Sequence, residues 1–403
     1  MAIIQSNMQA HARSIHQQKS FTEFFAGIGL MRMGLEREGW VAAFANDIDP
    51  AKEEMYQAHY RGSSKHFVRG DVHSLSAGMI PTVTMATASF PCNDLSLAGP
   101  RTGLAGKQSS AFWGFLRILE QMGNRRPPIV LLENVAGFLS SHAGRDFQAA
   151  LLALNSVGYA VDAFMIDAAR FVPQSRLRLF VIGTAKKSID PIEAKESLMF
   201  YESDVRPKAV ADFIFRHPEI NWNIRRLPPL PYRTVSLVQI LEPLPESSSY
   251  WWNQERTAYL INQMSERHHH QLSNMCNCKK WSFGTVFRRV RKGRSMAELR
   301  NDGIAGCLRT PRGGSGRQIL IKAGYGKIRA RLLTPRECAR LMGADGFTIE
   351  APLNRALFGF GDAVCVPVIA WIARNYLNPL VQELQTPNCE RGVDFTKSYA
   401  VAQ

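Results

Sequence analysis

Residues 20–29 read SFTEFFAGIG, and this stretch decides the fold class. A β-rich apolar run ends in a turn with two glycines, and the helical pattern LMRMGLEREG follows from residue 30. A strand that passes through a glycine turn into a helix is typical of the first unit of a ligand-binding α/β sheet. Gly27 and Gly29 would let the backbone approach a ligand, although glycines also serve purely structural turns.

The same alternation continues to about residue 183. The β-rich runs VAAFA, TVTMATA, IVLLE, YAVDAFMI and LRLFVIG are interleaved with the amphipathic patterns AFWGFLRILEQM and RDFQAALLALNSVG. Apolar strands separated by helices are typical of a doubly wound parallel sheet. We therefore expect an α/β domain. After residue 183 the sequence becomes rich in Pro, Gly and Arg without regular alternation, which predicts a second, smaller and irregular domain.

Charge is concentrated in one part of the 403-residue chain. Residues 205–331 hold 23 Lys and Arg against 8 Asp and Glu, which accounts for the whole net charge of +15. A neutral body with one basic segment indicates a catalytic unit joined to a nucleic-acid-binding region. A merely soluble basic surface is the alternative.

Other sequence features exclude several classes. No run reaches the ~20 apolar residues of a membrane helix, and the polar first twenty residues do not form a secretory signal. Seven cysteines, an odd number, fit reduced thiols and a cytoplasmic protein. The side chains at residues 268–270, Cys276 and Cys278 suit zinc, but their spacing is not that of a common zinc site, and no metal is expected.

Two acids strengthen the case for a ligand at the first turn. Asp47 ends the second strand and Asp71 follows the third, and an acid at the second strand end can accept ribose hydroxyls. Either acid could instead cap the following helix. The turn lacks the third glycine of the dinucleotide pattern and no phosphate-binding Lys follows. A phosphate-free adenosine ligand therefore fits better than NAD.

Candidate catalytic groups follow three of the strands. Cys92 lies after Pro91 in a strand-to-helix loop, where a thiolate nucleophile and an inert thiol are both open. Glu133 closes the apolar run IVLLE and suits proton donation, with a capping or salt-bridged glutamate as the alternative. Arg176 and Arg178 lie two residues apart, so one strand face could present both to a base oxygen or phosphate, or both to solvent.

The C-terminal part contains two further patterns. In LLTPRECARLMG, Thr334 can cap a helix, Pro335 fits its first position and Glu337 completes a capping box. FGFGDAVCVPVIAWIARNYL reads as a glycine-rich turn that runs into an apolar helix.

Taken in order, FFAGIG, PCNDLSLAG, ENV, QSRLR, LTPRECARLMG and GDAVCVPV resemble the DNA (cytosine-5)-methyltransferase family of bacterial restriction-modification systems. The resemblance implies a Rossmann-like domain that binds S-adenosylmethionine and a basic target-recognition domain. The implied division is an N-terminal extension at 1–19, the catalytic domain at 20–190, the recognition domain at 191–328, a segment at 329–380 that returns to the catalytic domain, and a tail at 381–403.

The resemblance also implies roles for individual residues. Cys92 would add to carbon 6 of a flipped cytosine, Glu133 would contact N3 and the exocyclic amine, and Arg178, supported by Arg176, would hold O2. The cofactor would contact residues from both ends of the chain. They are Phe25, Gly27, Gly29, Asp47, Asp71, Pro91, Asp362 and Ala363.

Three departures from the family pattern affect mainly the cofactor pocket: Asn93 where Gln is common, Asp362 where Asn is usual, and Ser and Gly in GKQSSAFWGF where an Arg and an acid often occur.

The resemblance implies double-stranded DNA as substrate, a monomeric enzyme associated with the bacterial nucleoid, and a cognate restriction endonuclease as a functional partner. The alternatives are a tRNA cytosine-5 methyltransferase and a protein that flips a base without turnover. A nicotinamide oxidoreductase fits least, because the Pro-Cys, ENV and Arg residues have no role in hydride transfer.

Overall fold

The computed structural model describes residues 19–91, 110–185, 201–291, 293–310 and 316–385. In this part of the chain the larger sheet has seven strands in the order β3-β2-β1-β4-β5-β7-β6. The strands are β1 (Ser20–Phe24), β2 (Val41–Asp47), β3 (Phe67–Arg69), β4 (Met85–Ala88), β5 (Ile129–Val135), β6 (Ala160–Asp167) and β7 (Leu177–Thr184). β1 to β5 pair in parallel, which confirms the predicted α/β class.

β7 departs from the predicted parallel arrangement, because it runs antiparallel to both of its neighbours, β5 and β6. The connection between β6 and β7 consists of nine residues, 168–176. A parallel connection needs about a dozen residues or more. The short connection therefore makes a hairpin, and it brings the start of β7 to the edge where β5 ends.

Both faces of the larger sheet are buried. The helices described before residue 186 are α1 (Leu30–Glu36), α2 (Pro50–His59), α3 (Ala111–Met122) and α4 (Arg145–Ser156). Ile129 and Leu131 of β5 belong to the core that includes α1, whereas Val130 and Leu132 belong to the core that includes α3 and α4. Since side chains alternate along a strand, the uninterrupted apolar run IVLL fills both cores.

The basic segment contains a second sheet. Its helices and strands are α5 (Lys208–Arg216), α6 (Leu237–Ile240), α7 (Gln254–Ile261), α8 (Glu266–Cys276), β8 (Ser282–Arg291), β9 (Arg294–Arg300), β10 (Ile319–Gly324) and β11 (Lys327–Leu332). The strands are antiparallel in the order β11-β10-β8-β9, and apolar side chains of α7 and α8 cover them. This domain is more regular than its sequence indicates, because arginines interrupt the apolar alternation in β8 and β9.

Residues near the start of the predicted recognition domain pack on the larger sheet. Arg206 and Asp162 of β6 are both buried, and Arg206 Nη2 lies 2.7 Å from each carboxylate oxygen. Tyr376 donates to the same carboxylate at 3.1 Å. At the other end, β11 continues across the predicted boundary at 328. The division into domains stays a prediction.

The C-terminal segment returns to the larger sheet as α9 (Pro335–Leu341), α10 (Leu353–Asp362), α11 (Val366–Ile372) and α12 (Asn378–Gln385). The predicted capping box is confirmed, because the Glu337 N–H donates to Thr334 Oγ1 at 3.1 Å and the Thr334 N–H donates to Glu337 Oε2 at 2.9 Å. The predicted glycine turn at FGFGD is wrong, since these residues form the last turns of α10. Gly359 and Gly361 lie where close neighbours leave no room for a Cβ.

The helical run Leu353–Gln385 is long and apolar enough to cross a membrane, but 72% of its most apolar window is buried inside the structure. Part of it packs directly against α1. A Cβ added at Gly34 of α1 would lie 2.5 Å from Cβ of Ile369 in α11. The run therefore serves as a core element of the fold.

A buried acid lies beneath the first turn. Glu23 of β1 is 1% exposed, and its Oε1 accepts the Arg32 N–H at 3.3 Å. Oε2 has no hydrogen-bond partner among the described residues. Burial raises the pKa of Glu23 from 4.5 to about 8. Because the folded-state pKa is the higher one, the protonated carboxyl stabilises the fold at low pH, and this contribution is lost as pH rises from about 4.5 to about 8.

We expect Glu23→Gln to remove this pH dependence. The variant should exceed the wild type in stability increasingly between pH 5 and pH 9, by on the order of a few kcal/mol at the alkaline end. Thermal unfolding at pH 5, 7 and 9 measures the effect, with the exposed Glu120→Gln as the matched control. If the stability of Glu23→Gln fell with rising pH as much as that of the wild type and of Glu120→Gln, the assignment to Glu23 would be contradicted.

Candidate active site

The candidate active site lies where β5 ends and β7 begins. Strand pairing sets Val135 opposite Arg178, so that Glu133 is the diagonal neighbour of Arg178 on the same face. Arg178 Nε lies 3.0 Å from Glu133 Oε1, and Glu133 is buried. The sheet edge thus presents a carboxylate and a guanidinium side by side. Such a pair can bind a planar ligand that offers both donors and acceptors.

Asn134 connects the loop after β4 to the strand that carries Glu133. Its Nδ2 donates to the Phe90 carbonyl at 3.2 Å, and its Oδ1 accepts the Val135 N–H at 2.9 Å. Pro91 follows Phe90 and is exposed. The predicted nucleophile, Cys92, lies outside the described residues, as does Asn93.

Arg176 does not share a strand face with Arg178, because it precedes β7 and its guanidinium is buried. Its Nη1 donates to the Leu308 carbonyl at 2.9 Å. Its Nη2 donates to the carbonyls of Gly361 at 3.2 Å and Ala363 at 2.5 Å. Arg176 therefore joins the β6–β7 connection to two distant segments, while Arg178 is the one that contacts Glu133.

Other residues complete this junction: Gln174, which belongs to QSRLR but was given no role from the sequence, and residues 307–308, which the sequence analysis did not select. Gln174 is fully buried, donates to the Leu341 carbonyl at 2.8 Å and accepts the Leu308 N–H at 2.9 Å. Cys307 Sγ accepts a hydrogen bond from Arg176 at 3.4 Å. Burial raises the pKa of the Cys307 thiol, but Arg176, Arg178 and a third arginine lower it further, and the net pKa is below the ordinary value. No local pattern marked residues 307–308, because their partners lie some 130 residues upstream.

The first glycine turn and the end of β2 form the second half of the site. The Gly27 N–H donates to Asp47 Oδ2 at 2.8 Å, and the Asp49 N–H donates to Asp47 Oδ1 at 2.9 Å. Gly27 has φ +57°, and a Cβ added there would meet no atom of the described residues within 4 Å. Phe25 also has a positive φ, 57°, which is uncommon for a residue with a side chain. In the described part of the chain the turn therefore borders open space, and each Asp47 carboxylate oxygen has a second lone pair that can accept from a hydroxyl group.

Two residues near this turn have features that the sequence analysis did not identify. A Cβ at Gly29 would lie 2.5 Å from the Tyr60 ring, and the Tyr60 hydroxyl donates to the Gly29 carbonyl at 2.7 Å. Gly29 thus allows α1 and α2 to pack closely. Ile48, which the sequence analysis did not select, exposes 64% of its surface directly after Asp47. An exposed apolar side chain in this position can cover one face of a planar ring.

The remaining predicted cofactor residues lie on two different elements. Asp71 is exposed and its Oδ1 accepts the His73 N–H at 2.9 Å, which is the capping arrangement. Asp362 ends α10, and its Oδ2 lies 2.9 Å from Nζ of Lys52 in α2. Ala363 follows and its carbonyl accepts from Arg176. The fold thereby brings the predicted C-terminal residues close to α2, which starts three residues after Asp47.

Metal-ligating side chains do not converge in the described ranges. No group of three or more His, Cys, Asp or Glu side chains there could hold a metal ion. His268 is hydrogen-bonded to Gln271, and Cys278 is exposed with its thiol donating to a backbone carbonyl.

The chain is similar to known methyltransferases over most of its length. Type II methyltransferase M.DsaV from Dactylococcopsis salina is 28% identical over 364 residues, covering 90% of this chain and 87% of the relative. Type II methyltransferase M.NlaX from Neisseria lactamica is 27% identical over 355 residues, covering 87% and 94%. The crystal structure of the S. pombe Dnmt2 methyltransferase has a TM-score of 0.57 at 18% identity, covering 91% and 99%, and this likeness concerns the fold alone.

The family description that matches this sequence is "C-5 cytosine-specific DNA methylase", over residues 19–378. The match includes both halves of the candidate site and the returning helices α9, α10 and α11. The chain therefore belongs to the C-5 cytosine-specific DNA methylase family, and it is a DNA (cytosine-5-)-methyltransferase.

Proposed function

We propose that this enzyme transfers the methyl group of S-adenosylmethionine to carbon 5 of a cytosine flipped out of a specific duplex DNA sequence. The observation that carries the proposal is the contact between Glu133 and Arg178 on the sheet that also carries the open turn at Gly27. A flipped cytosine offers O2, N3 and its amine along one edge. Glu133 contacts N3 and the amine, and Arg178 donates to O2.

The chemistry requires a nucleophile, since carbon 5 of cytosine is weakly nucleophilic. The Cys92 thiolate adds to carbon 6 and pushes an electron pair towards carbon 5. As negative charge develops on the ring, the Glu133 carboxyl group donates its proton to N3 and Arg178 donates a hydrogen bond to O2, so that both groups stabilise the charge. When bound, S-adenosylmethionine would supply an electrophilic methyl group for carbon 5, and its sulfur would keep the electron pair of the broken C–S bond. Carbon 5 then gives its proton to water, the electron pair of that C–H bond forms the double bond between carbons 5 and 6, and Cys92 leaves as a thiolate.

The residues present fit this cofactor. The open space beside Gly27 accommodates a ligand, and the buried Asp47 accepts the ribose hydroxyls. Ile48 covers one face of the adenine and Asp71 accepts from its amine. The other residues that line the cofactor pocket are those predicted from the sequence: Phe25, Gly29, Pro91, Asp362 and Ala363.

The basic domain supports duplex DNA as the substrate. Arg289, Arg291 and Arg294 are exposed around the tip of the β8–β9 hairpin, where they can contact phosphates or base edges. We further propose that the enzyme acts as a monomer within the bacterial nucleoid, with a cognate restriction endonuclease as its functional partner, since its curated relatives carry type II names.

Expression in a bacterial host without endogenous cytosine methylation tests the function directly. We expect 5-methylcytosine within one short motif at nearly every occurrence in the recovered plasmid, mapped at single-base resolution. Cys92→Ala should abolish the modification while the protein stays soluble. An unmodified plasmid beside methylated tRNA would select the tRNA enzyme, and DNA affinity without any product would select a non-catalytic binder.

The two arginines of QSRLR should respond differently to the same substitution. Arg178→Lys should lower kcat/KM by about 10²-fold or more with an unchanged Tm, because lysine lacks the planar fork. Arg176→Lys should cost about 2–4 kcal/mol of stability, because one ammonium cannot satisfy three separated carbonyls. Methyl-transfer kinetics and thermal unfolding of both variants provide the comparison, and a larger loss of stability in Arg178→Lys would reverse the assignment.

A further inference from the structure

We propose that Lys52 and Thr310 are positioning residues that hold the Asp362 carboxylate at the rim of the cofactor pocket. This inference rests on the proposed function, because it takes S-adenosylmethionine as the ligand. Neither residue belongs to a motif that the sequence analysis selected. Both act through Asp362 rather than on the reacting atoms.

The first contact is an ion pair between α2 and α10. Lys52 Nζ lies 2.9 Å from Asp362 Oδ2, and the Lys52 side chain is 22% exposed. Burial lowers the pKa of Lys52, but the carboxylates of Asp362 and Asp47 outweigh burial and the net pKa is raised. Lys52 therefore carries its positive charge between the end of β2 and the end of α10.

Packing between the two helices determines where this ion pair forms. A Cβ added at Gly359 of α10 would lie 2.8 Å from Ile28 and 3.0 Å from Met55, so only glycine permits this approach. On the outer side, Arg355 Nη1 lies 2.9 Å from Glu54 Oε2. The end of α10 is thus pressed against α2 and the first glycine turn.

The second contact comes from the recognition domain. The Thr310 hydroxyl donates to Asp362 Oδ1. A Cβ at Gly361 would lie 2.7 Å from the carbonyl carbon of Arg309, so glycine again permits the approach. Asp362 therefore uses one oxygen for Lys52 and the other for Thr310, and its orientation is determined by two separate parts of the chain.

Charge explains why Lys52 is needed. Asp47, Asp49 and Asp362 all act on its ammonium group. Without that ammonium, three neighbouring carboxylates would repel each other, and Asp362 would turn away from the pocket. With it, Asp362 stays in place and an excess of negative charge remains for a ligand that carries sulfonium and ammonium groups.

Calorimetric titration of the full-length protein with S-adenosylmethionine and, separately, S-adenosylhomocysteine tests the proposal. Lys52→Met should weaken the binding of both ligands by about tenfold, because a displaced Asp362 affects both. Lys52→Met combined with Asp362→Asn should restore binding to within about threefold of the wild type, since the uncompensated charge is gone. Lys65→Met, a change at an exposed lysine, should bind as the wild type does.

Three outcomes oppose the proposal. Lys52→Met could bind S-adenosylmethionine more tightly while its binding of S-adenosylhomocysteine stays unchanged. That result would mean that Lys52 acts only through its charge and does not position Asp362. A double variant as weak as the single one, or an unchanged single variant, would remove the positioning role. If Lys52→Met fails to fold, Thr310→Val provides the test and should weaken both ligands by about threefold. A wild type that binds neither ligand would contradict the proposed function instead.

Discussion

The buried guanidinium of Arg176 is the interaction on which the rest of the site depends. Burying a charge is costly unless hydrogen bonds compensate it, and here the carbonyls of Leu308, Gly361 and Ala363 accept from the two terminal nitrogens, while Nε has no partner among the described residues. Leu308 lies in the predicted recognition domain, Gly361 lies in the last turn of α10, and Ala363 directly follows that helix. One side chain at the start of β7 therefore joins both segments to the catalytic sheet. Gln174 strengthens the same junction through Leu308 and Leu341.

The antiparallel hairpin of β6 and β7 determines where Arg176 and Arg178 lie relative to the other strands. In a wholly parallel sheet the start of β7 would lie at the opposite edge from the end of β5. Reversal of the strand brings Arg178 next to Glu133 and Arg176 next to the returning helices. A nine-residue connection is the physical cause, because it is too short for a crossover.

Much of the fold was predictable from local patterns. The apolar run IVLL indicates a strand buried on both faces, and it does contribute to two cores. The capping box at Thr334 and Glu337 depends on residues three apart, and it forms as predicted. FGFGD could not be interpreted this way, because glycine usually indicates a turn. Its glycines are explained by contacts with Ile28, Met55 and Arg309, which come from distant parts of the chain.

For the site, the sequence motifs were sufficient to identify the family and the reaction. Each motif can be read locally, and all of them occur along the chain in the order that the family has. The motifs could not show that Arg176 is buried and Arg178 faces Glu133, since two residues so close in sequence look equivalent. Gln174 lies within QSRLR, but the motif could not show that its side chain bonds to Leu308 and Leu341. Cys307, Lys52 and Thr310 lie in none of the motifs, and their partners lie far away in the chain. The sequence by itself determined the chemistry that the chain can perform. The tertiary structure decided which side chains hold those groups in place, because hydrogen bonds and ion pairs depend on distances that only folding establishes.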